Sequence, residues 1–164
     1  MRKDNHGFTV IEVLVVIAII VILTTGIALG LNSVTSANVN KATKTVDAQM
    51  KKLRFTTLSK EENYSLYIYK KGSFYYCEIA PTNTSYTNLK SGVKLGKKGM
   101  EVQYSEVGND SFKTVNGSKY IEIAYNRSNG TFKNNENYTK IKFEAGAKSK
   151  VIILANSTGR HFIR

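Results

Sequence analysis

Residues 6–31 read HGFTVIEVLVVIAIIVILTTGIALGL, and the reading of this stretch decides what kind of chain follows. From Phe8 to Leu31 the only charged side chain is Glu12. A helix over 8–31 would be about 36 Å long at about 1.5 Å per residue, enough to cross a hydrocarbon core of about 30 Å. The apolar run exceeds the roughly 7–15 residues of a secretory signal, and no Ala-x-Ala pattern closes it before Asn32. Arg2 and Lys3 precede it, so the positive-inside rule keeps the N-terminus in the cytoplasm and sends the remainder outward. A carboxylate near the centre of such a segment costs roughly 2.5–3.5 kcal/mol, less towards its end. Glu12 therefore either reaches the cytoplasmic interface unaided or meets a cation from another chain, because no Lys or Arg lies between Phe8 and Leu31.

Working outward, no proline or glycine interrupts residues 31–71. Val39, Ala42, Val46, Met50 and Leu53 recur at spacings of three and four, while Lys41, Lys44, Asp47 and Lys51 lie off that stripe. These positions predict one helix of about fifty residues, its second half (32–58) amphipathic and packed on a globular domain. Beyond Asn63 the period becomes two. Met100, Val102 and Tyr104 alternate with polar neighbours, as do Ile121, Ile123 and Tyr125, and Ile141, Phe143 and Ala145, which predicts half-buried strands. Residues 64–70 and 74–80, separated by Lys71-Gly72-Ser73, predict a hairpin. The unbroken run Val151-Ile152-Ile153-Leu154 predicts a central strand covered on both faces, and Ser128-Asn129-Gly130 and Thr158-Gly159 predict turns. Helix first and strands afterwards give an α+β fold, a long N-terminal helix laid on an antiparallel sheet domain spanning 59–164.

Gly7-Phe8-Thr9-Val10-Ile11-Glu12 resembles the processing site of type IV prepilins and type II secretion pseudopilins: a short basic leader ending in Gly, then Phe, then Glu as fifth residue of the mature chain, then an apolar run. The resemblance implies a leader over 1–7 and a transmembrane and filament-core helix over 8–31. It implies cleavage between Gly7 and Phe8 by a prepilin peptidase and N-methylation of Phe8. A residue without a side chain suits close approach of the peptidase to the backbone. The freed amine of Phe8, with a pKa near 8, is largely cationic at neutral pH, so Glu12 of one subunit can neutralise the amine of its neighbour and fix register. Glu12 is on this reading an assembly residue. Many members carry a proline midway along this helix. Here the only proline is Pro81, and Gly26 and Gly30 form a Gly-x-x-x-Gly pair that either loosens the helix or permits close helix contact. The ending from Tyr120 to Arg164, with Ile141-Lys142-Phe143, Val151-Ile152-Ile153 and Gly159-Arg160, is similar to that of H-type minor pseudopilins and related minor pilins. The partners implied are other pilin subunits, the prepilin peptidase, the pilus assembly machinery and the membrane. The chain would stand in the cytoplasmic membrane with its N-terminus inside, then in a surface filament or secretion pseudopilus.

No enzyme, cofactor or metal site is expected. His6 falls in the leader, His161 has no Ser or Cys partner in a recognisable pattern, Glu61-Glu62 suits a solvated helix end, and Cys77 is the only cysteine. Charge is the remaining signal. The formal net charge is +12, and apart from Arg2, Lys3, Asp4 and Glu12 the chain holds 22 basic against 10 acidic residues. Lys90, Lys94, Lys97 and Lys98 cluster in a glycine-containing stretch, and Arg160 and Arg164 stand at the C-terminus. Such a field attracts polyanions, which makes Lys94, Lys97, Lys98, Arg160 and Arg164 candidate contacts and DNA an alternative partner. The competing explanation is a lysine excess that serves solubility.

Overall fold

The computed structural model describes residues 9–59, 63–89, 91–117, 119–133 and 138–164, without the side chains of 23–34 and 110. The chain divides into two compact units, Met1–Val34 and Thr35–Arg164. Helical backbone α1 covers Val10–Ser59 and contributes to both. The expected fold class is observed, an α-helix followed by antiparallel strands, although the strands form two sheets.

In the first unit every residue from Val10 to Ile22 is exposed, including Val10 at 82% and Ile11 at 72%. Among the described residues no helix is long and apolar enough to cross a membrane. The expected 8–31 span also includes Phe8 and the side chains of 23–31, which lie outside the described residues.

In the second unit the predicted helical stripe is the centre of the core. Val39, Ala42, Val46, Met50 and Leu53 are all buried, one face of the helix closing over the strands. The first sheet runs β3-β2-β1-β6, with β1 at Tyr64–Lys71, β2 at Phe74–Pro81, β3 at Val93–Leu95 and β6 at Ile121–Ala124. The second runs β5-β4-β7-β8-β9, with β4 at Glu101–Glu106, β5 at Asn109–Thr114, β7 at Tyr138–Ala145, β8 at Lys148–Ala155 and β9 at Arg160–Ile163. The alternating residues point as expected: Val102, Tyr104, Ile121, Ile123, Ile141 and Phe143 are all buried.

The strand covered on both faces is β1, not the 151–154 run. Leu66 and Ile68 join the helix-side core, while Tyr67 and Tyr69 enter a second cluster on the other face with Ala80 and Leu89. Residues 82–89, with Tyr86 and Leu89 in the cluster, strap this outer face. The Tyr67 hydroxyl donates to Glu122 (2.8 Å) and accepts from the Thr84 amide (3.1 Å), and the Tyr69 hydroxyl donates to Glu78 (3.0 Å). Ser91 holds the same Glu78 through its amide and its hydroxyl. Strand β8 lies one place from the edge, and Val151 and Ile153 remain half-buried on its outer side. An apolar run marks cover on both faces only where something is present to supply it, and here the strap lies over the other sheet.

Candidate functional sites

The N-terminal candidate is built on the first turn of α1. The Glu12 carboxylate accepts from the Thr9 amide (2.9 Å) and from the Thr9 hydroxyl (2.9 Å), and Thr9 Oγ1 lies 3.3 Å from the Glu12 amide. Thr9-Val10-Ile11-Glu12 is thus a capping box, in which residue and backbone satisfy each other's orphan groups at the helix start. Both bonds from Thr9 to this carboxylate fall on Oε2. The Thr-x-x-Glu spacing was available in the sequence, but a membrane setting draws the eye to the charge of Glu12 rather than to its reach. Gly7 and Phe8, the expected cleavage and methylation positions, lie outside the described residues.

The basic candidates separate. Lys94 sits on β3, the edge of the first sheet, with Nζ 3.2 Å from the centre of the Phe74 ring on the neighbouring hairpin strand. Lys97 and Lys98 follow in the loop to β4, both exposed. Arg160 and Arg164 are also exposed, but at β9, the edge of the second sheet, where the Arg164 backbone pairs with Val151 in both directions. The fold brings two further lysines to the first group. Lys70 and Lys71 end β1 at the hairpin turn, and Lys70, Gly72 and Ser73 line the same cavity as Lys98 and Glu101. Nothing in the spacing of Lys70 and Lys98 along the chain announces this meeting.

His161 has a partner that sequence reasoning missed. Its Nε2 lies 2.8 Å from Asp47 Oδ1 on the helix, and Asp47 also accepts from Lys51 (2.8 Å). Partial burial of Asp47 pushes its pKa up, but the hydrogen bonds from Lys51 and His161 outweigh this and hold it below the usual carboxylate range. The pair joins β9 to the helix, with the His161 side chain nearly buried. Just before it, Gly159 has φ +64°, and a Cβ there would run into the carbonyl of Gly130. The Gly-Arg step of the terminal pattern is therefore a place where two backbones meet. Among the described residues no group of three or more His, Cys, Asp or Glu side chains could hold a metal.

Comparison with known families gives one match, to the family described as the prokaryotic N-terminal methylation motif. Residues 2–28 carry that motif. The matched segment includes Gly7, Phe8, Thr9 and Glu12, and it is consistent with the type IV pilin and pseudopilin family. It ends before the Thr35–Arg164 unit begins. No curated protein and no solved structure matches the chain. Within the matched segment the structure adds the Thr9–Glu12 box, which opens α1.

Proposed function

We propose that this chain is a structural subunit of a type IV pilus or a type II secretion-type pseudopilus, of the minor, H-type-like kind. It is made as a prepilin anchored in the cytoplasmic membrane through residues 8–31. The prepilin peptidase cuts between Gly7 and Phe8, Phe8 is methylated, and the subunit then joins a surface filament with other pilin subunits. The match of residues 2–28 to the methylation motif carries this reading. The exposed apolar side chains from Val10 to Ile22 support it, because such a surface is stable only against lipid or other apolar helices. The order of β7, β8 and the Gly159-Arg160 turn supports the H-type placing.

On this reading Glu12 neutralises the Phe8 amine of the adjacent subunit, and Thr9 holds the carboxylate for that task. Intact mass measurement of the chain recovered from cells with a prepilin peptidase tests the first step. The expected species lacks residues 1–7 and carries one methyl group, and Gly7→Phe leaves the full-length mass. A mature chain still beginning at Met1 overturns the proposal. Glu12→Ala is expected to be cleaved and inserted normally yet to vanish from sheared filaments. Incorporation at the parental level would remove the role given to Glu12.

A further inference from the structure

The lysines of the second unit are not all alike. Those beside a carboxylate pair with it: Lys51 with Asp47, Lys113 with Glu106 and Lys142 with Glu144. At one end of the first sheet, five others have no ion pair among the described residues. Lys70 and Lys71 come from the hairpin end of β1, Lys94 from β3, and Lys97 and Lys98 from the following loop. A cavity of about 270 Å³ separates the hairpin turn from this loop, lined by Lys70, Gly72, Ser73, Lys98, Gly99, Met100 and Glu101. Glu101 is the single carboxylate on it, and that group accepts from Gln103 Nε2 (3.3 Å). Five like charges brought to one end by tertiary structure repel one another, so their natural complement is an anion.

We propose that this end of the four-stranded sheet binds a linear phosphodiester polymer, with Lys70, Lys71, Lys94, Lys97 and Lys98 each meeting a backbone phosphate. Three observations select this ligand. The group contains lysine alone, compact ammonium point charges on flexible stems that follow a phosphate chain, with none of the planar arginine forks that grip a carboxylate in two-point fashion. Lys94 already covers the Phe74 ring, so that face is closed to base stacking, and contact is with the polymer backbone. Arg160 opens the edge strand of the other sheet and Arg164 directly follows it, and neither takes part. Nucleic acid and the phosphate polymers of cell walls share this chemistry. The site is independent of the filament reading, since it uses neither the leader nor residues 8–31.

The test uses the full chain in a neutral detergent, with binding read by fluorescence anisotropy. The probes are a duplex of about 20 base pairs, poly(glycerol phosphate) and poly(glutamate) of equal charge. Five phosphate contacts give a log–log salt slope of about −4.5 on duplex DNA, which is a fall of about 500-fold in affinity between 50 and 200 mM salt. Lys70→Gln/Lys97→Gln/Lys98→Gln is expected to reduce the slope to about −1.8, a fall of about 12-fold over the same range. Lys41→Gln/Lys148→Gln/Lys150→Gln removes the same charge elsewhere and is expected to leave the slope unchanged. Lys98→Glu alone, at an exposed position where folding is not at stake, is expected to weaken binding more than any single glutamine change. Binding to both phosphate polymers, or to either one, sustains the site and identifies its source. No binding at 50 mM salt overturns the proposal. So does equal affinity for poly(glutamate), or equal loss in the control triple variant.

Discussion

The Gly159→Ala substitution offers the sharpest test of the packing around the C-terminal strand. At φ +64° an L side chain costs about 1–2 kcal/mol for conformation alone. The larger part comes from what the new Cβ meets, the carbonyl of Gly130, which is backbone and cannot rotate aside. Either the β8–β9 turn or the loop around Gly130 must move. Both are held by backbone bonds, Gly159 N–H to the Ala155 carbonyl (3.0 Å) and Gly130 N–H to the Asn126 carbonyl (2.8 Å). Losing the equivalent of two such bonds adds about 2 kcal/mol, for a total of about 3–4 kcal/mol. Gly72 supplies the control, since its φ is +60° and nothing lies within 4 Å of the place an alanine methyl would take, so Gly72→Ala bears the conformational part alone. At about 3 °C per kcal/mol for a chain of this size, the melting temperature should fall by about 10 °C in one case and about 3–5 °C in the other. Thermal unfolding followed by near-ultraviolet circular dichroism reads this directly, because the ten tyrosines and no tryptophan supply the signal. Equal shifts in the two variants would refute the close approach.

Three further outcomes are expected. Met50→Ala should cost about 2–5 kcal/mol in thermal unfolding and Phe55→Ala within about 0.5 kcal/mol of nothing, since Met50 is fully buried and Phe55 is 74% exposed on the same helix. Asp47 has a lowered pKa in the folded chain, so its contribution to stability is present above the unfolded value and is lost as pH falls through the folded one. Acid titration of the melting temperature should therefore show a loss below about pH 4 that His161→Ala makes smaller. Burial pushes the Cys77 thiol up to about 12, and burial together with the Glu122 carboxylate pushes Tyr67 up to about 12. Both contribute stability that is complete below the unfolded pKa and is lost as pH climbs towards the folded value. Stability should thus decline from about pH 9 upward, and a thiol reagent should modify Cys77 at neutral pH only at the rate of unfolding.

What was legible in the chain was what periodicity records. The helical stripe from Val39 to Leu53 and the alternations in β4, β6 and β7 each follow from one face being dry and the other wet, a property local to a segment. The missed strands carry weak patterns for physical reasons. Strand β3 is three residues long, β5 reads NDSFKT, and β9 reads RHFI with Phe162 and Ile163 largely exposed at a sheet edge. Edge strands bury little, so their composition records little. The misplaced double cover has a related origin: Tyr67 and Tyr69 are wet-face residues by hydropathy until the strap seats on them and their hydroxyls find Glu122 and Glu78. The site residues divide in the same way. Glu12 announces itself by its chemistry against an apolar background. The meeting of Lys70 with Lys98, or of His161 with Asp47, depends on the tertiary fold, and no spacing within the chain contains it.

The capping box changes how the acid in the apolar segment is understood. A helix that begins in or beside an apolar phase leaves its first amides without water, a difficulty distinct from that of a charged side chain. Here each supplies part of the answer to the other. The carboxylate takes the Thr9 amide and hydroxyl on Oε2, so part of its own requirement for donors is met from within the chain. The Thr9 amide and hydroxyl belong to a residue that follows the proposed cut between Gly7 and Phe8, so the box would survive processing, and the cut would add a cation one residue from it. A glutamate at this position then costs less than an isolated acid before assembly and still has an oxygen to offer during it. On that account the requirement for Glu12 lies in its geometry as much as in its charge: an aspartate one methylene shorter keeps the charge but loses the reach that joins the third helical residue to its cap.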